Sequence, residues 1–148
     1  MTLALATRAA LRRDLARDEG RVRHVYKDSL GYLTVGVGRL VDQRKGGGLR
    51  ESEIDFLLDN DIDEAIEDVQ SLPAWQAVKN DPVRSRALLN MRFQLGADGL
   101  RGFRNSLAMI ASRDWARAGA NLRASKWYRQ TPQRAERVIR MIESGVAP

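Results

Sequence analysis

From Glu51 to about Gln70, apolar residues recur at Ile54, Leu57, Leu58, Ile62, Ala65, Ile66 and Val69 with acidic residues between them. These spacings put the apolar side chains on one face of a long amphipathic helix, which ends before Pro73. Upstream, Thr7 to Glu19 carries Leu11 and Leu15 on one helical face, with Gly20 as its C-terminal cap. Between the two helices the period changes. Val25, Tyr26, Tyr32, Leu33, Thr34, Val35 and Val37 are strand formers around the turn Asp28–Gly31, so Arg23 to Gly38 reads as a hairpin or small antiparallel sheet. The stretch Asp42 to Arg50, with glycines at 46–48, reads as a flexible connection. It is no phosphate loop, because Lys45 precedes the glycines and no Gly-Lys-Ser/Thr follows. Downstream, Asp81 at the N-cap and Pro82 at N1 open a helix with the core stripe Val83, Ala87, Leu88, Met91 and Leu95, ending at Gly96. Shorter helices are expected near Ser106–Ala111 and Ser112–Leu122. A last helix starts at Thr131-Pro132, carries Ala135, Val138, Ile139 and Ile142, and stops before Gly145.

These elements predict an α+β, mostly α-helical fold. A small lobe with the hairpin (about 1–50) is joined by a long helix (51–72) to a helical lobe (73–148), with a cleft between them. At 148 residues and 43% hydrophobic, the chain can bury one sizeable core. It has no cysteine, which excludes disulfides, a thiolate nucleophile and Cys-based zinc sites. The lone His24 has no second ligand beside it and is read as structural, so neither metal nor cofactor is expected. The N-terminal apolar run is too short for a signal peptide, and no stretch reaches membrane-spanning length. Charge is uneven along the chain. Residues 1–83 carry 12 Lys+Arg against 15 Asp+Glu, net −3, and residues 84–148 carry 13 against 4, net +9. The C-terminal part is therefore expected to attract polyanions, against the plain alternative that its arginines only solvate helix faces.

Candidate chemistry concentrates in the first quarter. Glu19, Asp28 and Thr34 set an acid, an acid and a hydroxyl where a helix gives way to the glycine-rich hairpin. Glycoside hydrolysis needs one protonated carboxyl to release the leaving oxygen and one ionised carboxylate to prepare water or attack the sugar. A carboxyl at a helix C-terminus faces the negative end of the dipole, which favours the protonated form. A turn aspartate stays wet and charged. Thr34, on the strand returning from the turn, converges with Asp28 on one small volume.

The segments Asp18-Glu19-Gly20, Tyr26 to Gly38, Ala87 to Gly96, Gly102 to Leu107 and Asn121 to Pro132 together resemble the lysozymes of T-even bacteriophages, in the family's order, from about Arg17 to Ile142. The resemblance implies an endolysin-type muramidase. Glu19 is then the general acid, Asp28 the residue that positions or deprotonates water, and Thr34 the hydroxyl that holds it. It also implies saccharide contacts at Leu33, Gly38, Asn90, Phe93, Gln94, Phe103, Asn105, Ser106, Asn121, Lys126 and Arg134, with Arg134 partnering Glu19 and with Trp127 and Tyr128 as packing. Bacterial peptidoglycan is the implied partner. Neither nucleic acid nor membrane insertion is expected, and a monomer made in the host cytoplasm would reach the wall after release by another factor. The chain departs from the family where a histidine is replaced by Arg39, expected to pair with Asp61, and where the Arg39–Leu49 connection is shorter. It also lacks the family's terminal segment, and Leu3, Leu5 and Ala6 are expected to fill part of that space. The competing readings are a non-catalytic basic domain for anionic envelope or nucleic acid, and a transglycosylase that expels the muramic hydroxyl.

Overall fold

The computed structural model describes residues 3–148. Helix α1 (Leu5–Glu19) leads into strands β1 (Val22–Lys27), β2 (Leu33–Gly36) and β3 (Arg39–Leu40), and then into a 3-10 turn, Gln43–Lys45. Helices α2 (Glu51–Val69), α3 (Pro73–Val78), α4 (Arg84–Arg101), α5 (Arg104–Ala111), α6 (Trp115–Arg123), α7 (Lys126–Gln130) and α8 (Pro132–Ser144) follow. The fold is α+β and lysozyme-like, mostly helical with one small antiparallel sheet. Two compact units divide the chain, residues 1–55 and residues 56–148. Among the described residues, no helix is long and apolar enough to cross a membrane.

The first unit is ordered by hydrogen bonds more than by apolar burial. The sheet runs β1-β2-β3, with Thr34 opposite Tyr26 on one side and Leu40 on the other. Its two buried side chains are polar, Thr34 and Asp42. Helix α1 buries no residue. Leu11 and Leu15 stay exposed, and so do Leu3, Leu5 and Ala6, against the expectation that these three fill part of the space of the family's terminal segment. The physical reason is composition: with Arg8, Arg12, Arg13, Asp14, Arg17 and Asp18 spread around it, α1 has no apolar stripe wide enough to bury. The glycine-rich connection holds more structure than its composition suggests. A Cβ on Gly47 would meet the Leu40 carbonyl oxygen at 2.6 Å, so only glycine lets the chain lie on β3, where the Gly48 N–H donates to that same oxygen at 3.1 Å.

The second unit carries the core. Leu88, Met91, Leu100, Ile110, Leu122, Ile139 and Ile142 are its largest fully buried side chains, joined by Val69, Val78 and Val138 and supplied by α2 through α6 and α8. Trp127 of α7 joins them, its ring edge-on to Phe103 with centroids 6.0 Å apart. Of the apolar stripe read on α2, only Ala65 and Val69 are buried; Ile54, Leu57, Leu58 and Ile62 remain exposed. Asp81 caps α4 as expected, its Oδ1 accepting from the N–H groups of Val83 and Arg84, both at 3.0 Å. The helix opened at Asp81 ends at Gly96 as expected, where φ of 75° and ψ of 170° are not helical, and a second helical segment follows to Arg101; α4 denotes the two together. Helices α3 and α7 were not anticipated. Both are too short, at six and five residues, to show a helical period.

Candidate active site

Glu19 is the last residue of α1 and is exposed; the helix closes behind it when the Gly20 N–H donates to Ala16 at 3.0 Å. The carboxyl rests against the β2–β3 turn. A Cβ built on Gly38 would stand 3.0 Å from Glu19 Oε2 and 3.2 Å from its Cδ. Gly38, expected as a saccharide contact, therefore leaves room for the acid, and its φ of +64° suits glycine for a second reason. The neighbouring Gly36 has the same kind of backbone, φ +68°, with nothing near its missing side chain.

Asp28 and Thr34 both bond to the backbone of one residue, Tyr32, that the sequence did not single out. Asp28 Oδ1 accepts from the N–H of Leu30 at 2.9 Å and of Tyr32 at 2.8 Å. The Tyr32 carbonyl in turn accepts from the Asp28 N–H at 2.8 Å and from the Thr34 hydroxyl at 3.1 Å. Asp28 is half-buried and Thr34 only 4% exposed. Because Oδ1 is occupied, Oδ2 is the oxygen left to face a ligand within this unit. Because the Thr34 proton is committed to Tyr32, its hydroxyl offers lone pairs. Leu33 begins β2 beside Thr34 and is partly exposed.

Arg39 corrects an expectation. Its guanidinium forks onto Glu53, with Nη1–Oε2 at 3.1 Å and Nη2–Oε1 at 2.5 Å, in place of the pair with Asp61. Glu53 lies in the first turn of α2, beside the strand's exit; Asp61 is eight residues on, about 12 Å further along the helix. The Arg39 guanidinium holds the Glu53 carboxyl below its usual range, and the Arg50 N–H adds to the effect.

The remaining candidates lie in the second unit and separate into groups. Asn90, Phe93 and Arg134 line a cavity of about 320 Å³ with Leu58, Ile62 and Arg86, and Arg134 Nε donates to Asn90 Oδ1 at 3.0 Å. Phe103, Asn105, Ser106 and Asn121 line another of about 460 Å³, where the Ser106 hydroxyl donates to Asn121 Oδ1 at 2.6 Å. Gln94 is engaged inside the unit: Trp127 Nε1 donates to its Oε1 at 3.0 Å, and its Nε2 donates to Thr131 Oγ1 at 3.2 Å. Trp127 is thereby packing, as read from sequence. Lys126 is exposed at the start of α7 and lines neither cavity. Among the described residues no group of three or more His, Asp or Glu is placed to hold a metal.

A small sheet followed by helices is consistent with a lysozyme-like fold, and comparison with known sequences places the chain among the glycoside hydrolases. It belongs to the phage lysozyme family, which it matches over residues 16–140. It is 32% identical to Probable T4-type lysozyme 1 of Dictyostelium discoideum, over 88% of this chain and 92% of that one. It is also 32% identical to the pre-baseplate central spike protein Gp5 of Enterobacteria phage T4, over 88% of this chain and 27% of that protein. Peptidoglycan hydrolase gp36 of Pseudomonas phage phiKMV is 33% identical over 87% of this chain and 14% of its own length.

Proposed function

We propose that the protein is a muramidase that hydrolyses the β-1,4 bond between N-acetylmuramic acid and N-acetylglucosamine in bacterial peptidoglycan, with Glu19 as general acid and Asp28 and Thr34 holding the attacking water. Relatives named lysozyme and peptidoglycan hydrolase support the substrate. The observation that carries the mechanism is the Tyr32 backbone, to which both Asp28 and Thr34 bond. A water that donates one proton to Asp28 Oδ2 and the other to Thr34 Oγ1 keeps an oxygen lone pair for the sugar carbon. Asp28 takes its proton as the bond forms, and Glu19 protonates the departing oxygen. A carboxylate attacking directly would need no such hydroxyl, so the reaction inverts the anomeric centre, with the two carboxyls roughly 6.5–9.5 Å apart. Asn90, Phe93 and Arg134 on one cavity, and Phe103, Asn105, Ser106 and Asn121 on the other, supply amide, hydroxyl and apolar surface for the glycan strand. Lys126 adds a cation outside both. Gln94 acts by holding Trp127 and Thr131. The enzyme works as a monomer without a cofactor.

NMR of freshly cleaved oligosaccharide, read before mutarotation, tests the mechanism. An α-anomer appearing first from the β-linked substrate is the expected result. A first-formed β-anomer, or a sugar trapped on Asp28, overturns the inverting mechanism, and anhydro products in the mass spectrum establish a transglycosylase. Glu19→Gln is expected to abolish wall lysis while leaving thermal stability unchanged or slightly raised; a folded variant with near-normal lysis would falsify the assignment of the acid.

A further inference from the structure

The connection after β3 carries a buried carboxylate for which the proposed reaction has no use. Asp42 is 4% exposed and collects four donors. Its Oδ1 accepts from the Arg44 backbone N–H and from Arg44 Nε, both at 2.9 Å, and its Oδ2 from Arg44 Nη2 at 2.6 Å and the Leu33 N–H at 3.4 Å. The Leu33 carbonyl accepts in return from the N–H groups of Val41 at 2.9 Å and Asp42 at 3.2 Å. The Arg44 guanidinium, fixed in this way, lies 5.2 Å from the centre of the Tyr32 ring, and Lys45 Nζ lies 4.8 Å from the same centre. Tyr32 is the residue whose backbone N–H and carbonyl hold Asp28 and Thr34. A segment that only joined a strand to a helix would leave its aspartate in water, since burying a carboxylate is costly unless charge-assisted donors surround it.

We propose that Asp42, Arg44 and Tyr32 form a positioning device for the Asp28–Thr34 pair. Asp42 orients the guanidinium, the two cations hold the Tyr32 ring by its π face, and the Tyr32 backbone N–H and carbonyl set the carboxylate and the hydroxyl to grip one water. The clamp on Leu33 fixes the chain between Tyr32 and Thr34, so both residues flanking it are held. This rests on the reading of Asp28 and Thr34 as the water-holding pair. None of the three touches substrate. Their effect is on the geometry of the attacking water, where a displacement near 1 Å is enough to slow the reaction by one or two orders of magnitude.

The test is steady-state hydrolysis of purified peptidoglycan, with thermal unfolding measured alongside, for Asp42→Asn, Arg44→Met, Arg44→Lys, Tyr32→Leu and Tyr32→Phe. Glu136→Gln, in the helical unit, serves as the stability reference. Arg44→Met and Tyr32→Leu are expected to lower kcat about tenfold with little change in KM, and their double variant to be no slower than either single one, because both break the same chain of contacts. Arg44→Lys keeps a cation over the ring and Tyr32→Phe keeps the ring, so each recovers part of the loss. Glu136→Gln lowers the unfolding temperature and leaves kcat unchanged. If Asp42→Asn does not fold, the Arg44 and Tyr32 variants decide, because the Arg44 side chain is 69% exposed and its truncation opens no core. Wild-type turnover in folded Arg44→Met and Tyr32→Leu, or losses that add in the double variant, would overturn the proposal. Wild-type turnover in Asp28→Asn removes the water-holding reading and this proposal with it, a result that can be told apart because Asp28→Asn stays inactive when only the positioning device fails.

Discussion

Gly36 and Gly38 offer a matched comparison at the scale of single residues. Both have positive φ, so alanine at either strains the β2–β3 turn by about 1 kcal/mol. Only at Gly38 does the new methyl meet a carboxyl, Glu19 Oε2 at 3.0 Å. Gly36→Ala and Gly38→Ala are therefore expected to lower the unfolding temperature by similar amounts, while Gly38→Ala alone lowers kcat on peptidoglycan, by about tenfold. Equal activities in the two variants would show that the carboxyl moves aside freely. The same neighbourhood shows why acid and water are held differently. Asp28 is tied by hydrogen bonds to its own turn, whereas Glu19 is placed by the shape of the turn it lies on.

At the scale of elements, two helix boundaries carry measurable energies. Asp81 accepts from two N–H groups at the start of α4 and pairs with Arg84 through Oδ2 at 2.8 Å. The Arg84 N–H and guanidinium hold the Asp81 carboxyl below its usual range. Asp81→Ala should cost about 1 kcal/mol at neutral pH. A carboxyl with a depressed folded pKa stabilises above its unfolded value, so the difference between wild type and variant should shrink as pH falls below the ordinary carboxylate range. A pH-independent difference measured by urea unfolding would assign the cost to something other than the cap. Arg113, between α5 and α6, has a φ of 58°, the left-handed conformation that favours glycine. Arg113→Gly is expected to be neutral or to stabilise by up to about 1 kcal/mol, against the usual loss on introducing glycine.

Across the molecule, the second unit is cross-tied by charge. Arg123 of α6 reaches Glu136 and Glu143 of α8 with contacts of 2.6–3.1 Å, and Arg140 adds a further contact to Glu136. Arg123, with help from Arg140, holds Glu136 at about 2. Its contribution is therefore present above the ordinary glutamate range and lost as pH falls from about 4.5 toward 2. Glu136→Gln should cost about 1–2 kcal/mol at pH 7 and almost nothing near pH 2; a constant cost across that interval would refute the linkage. Counted by compact unit, the charge is more even than the +9 of residues 84–148 alone. Residues 1–55 carry 11 Lys+Arg against 8 Asp+Glu, and residues 56–148 carry 14 against 11, so each unit has a net charge of +3. The acidic residues of α2 belong to the same unit as the basic helices, and Arg92 pairs with Asp68 within it. Wall lysis should decline as salt is raised, and cleavage of a soluble neutral oligosaccharide should not. Identical salt curves would leave the basic residues no part in capture.

What the sequence determined by itself is what local chemistry dictates. The helix ending at Glu19, the Asp28 turn, the long α2, the Asp81 cap and the last helix closing at Gly145 all follow from residue spacing and from residues that fix their own backbone. The order of the motifs carried the family. Tertiary structure decided the pairings, because an amphipathic period says which face of an element is apolar and nothing about which neighbour meets it. Arg39 found Glu53 because that carboxylate lies beside the strand's exit. Gln94 was taken by Trp127 and Thr131, 33 and 37 residues away in the chain. The Tyr32 backbone to which Asp28 and Thr34 both bond, and the Asp42–Arg44 contact beneath its ring, left only faint signals: an aspartate two residues ahead of the N–H it accepts, at each end of the sheet. Such turns are common in any sequence. Only folding the hairpin against its own connection brought the two together around one aromatic ring.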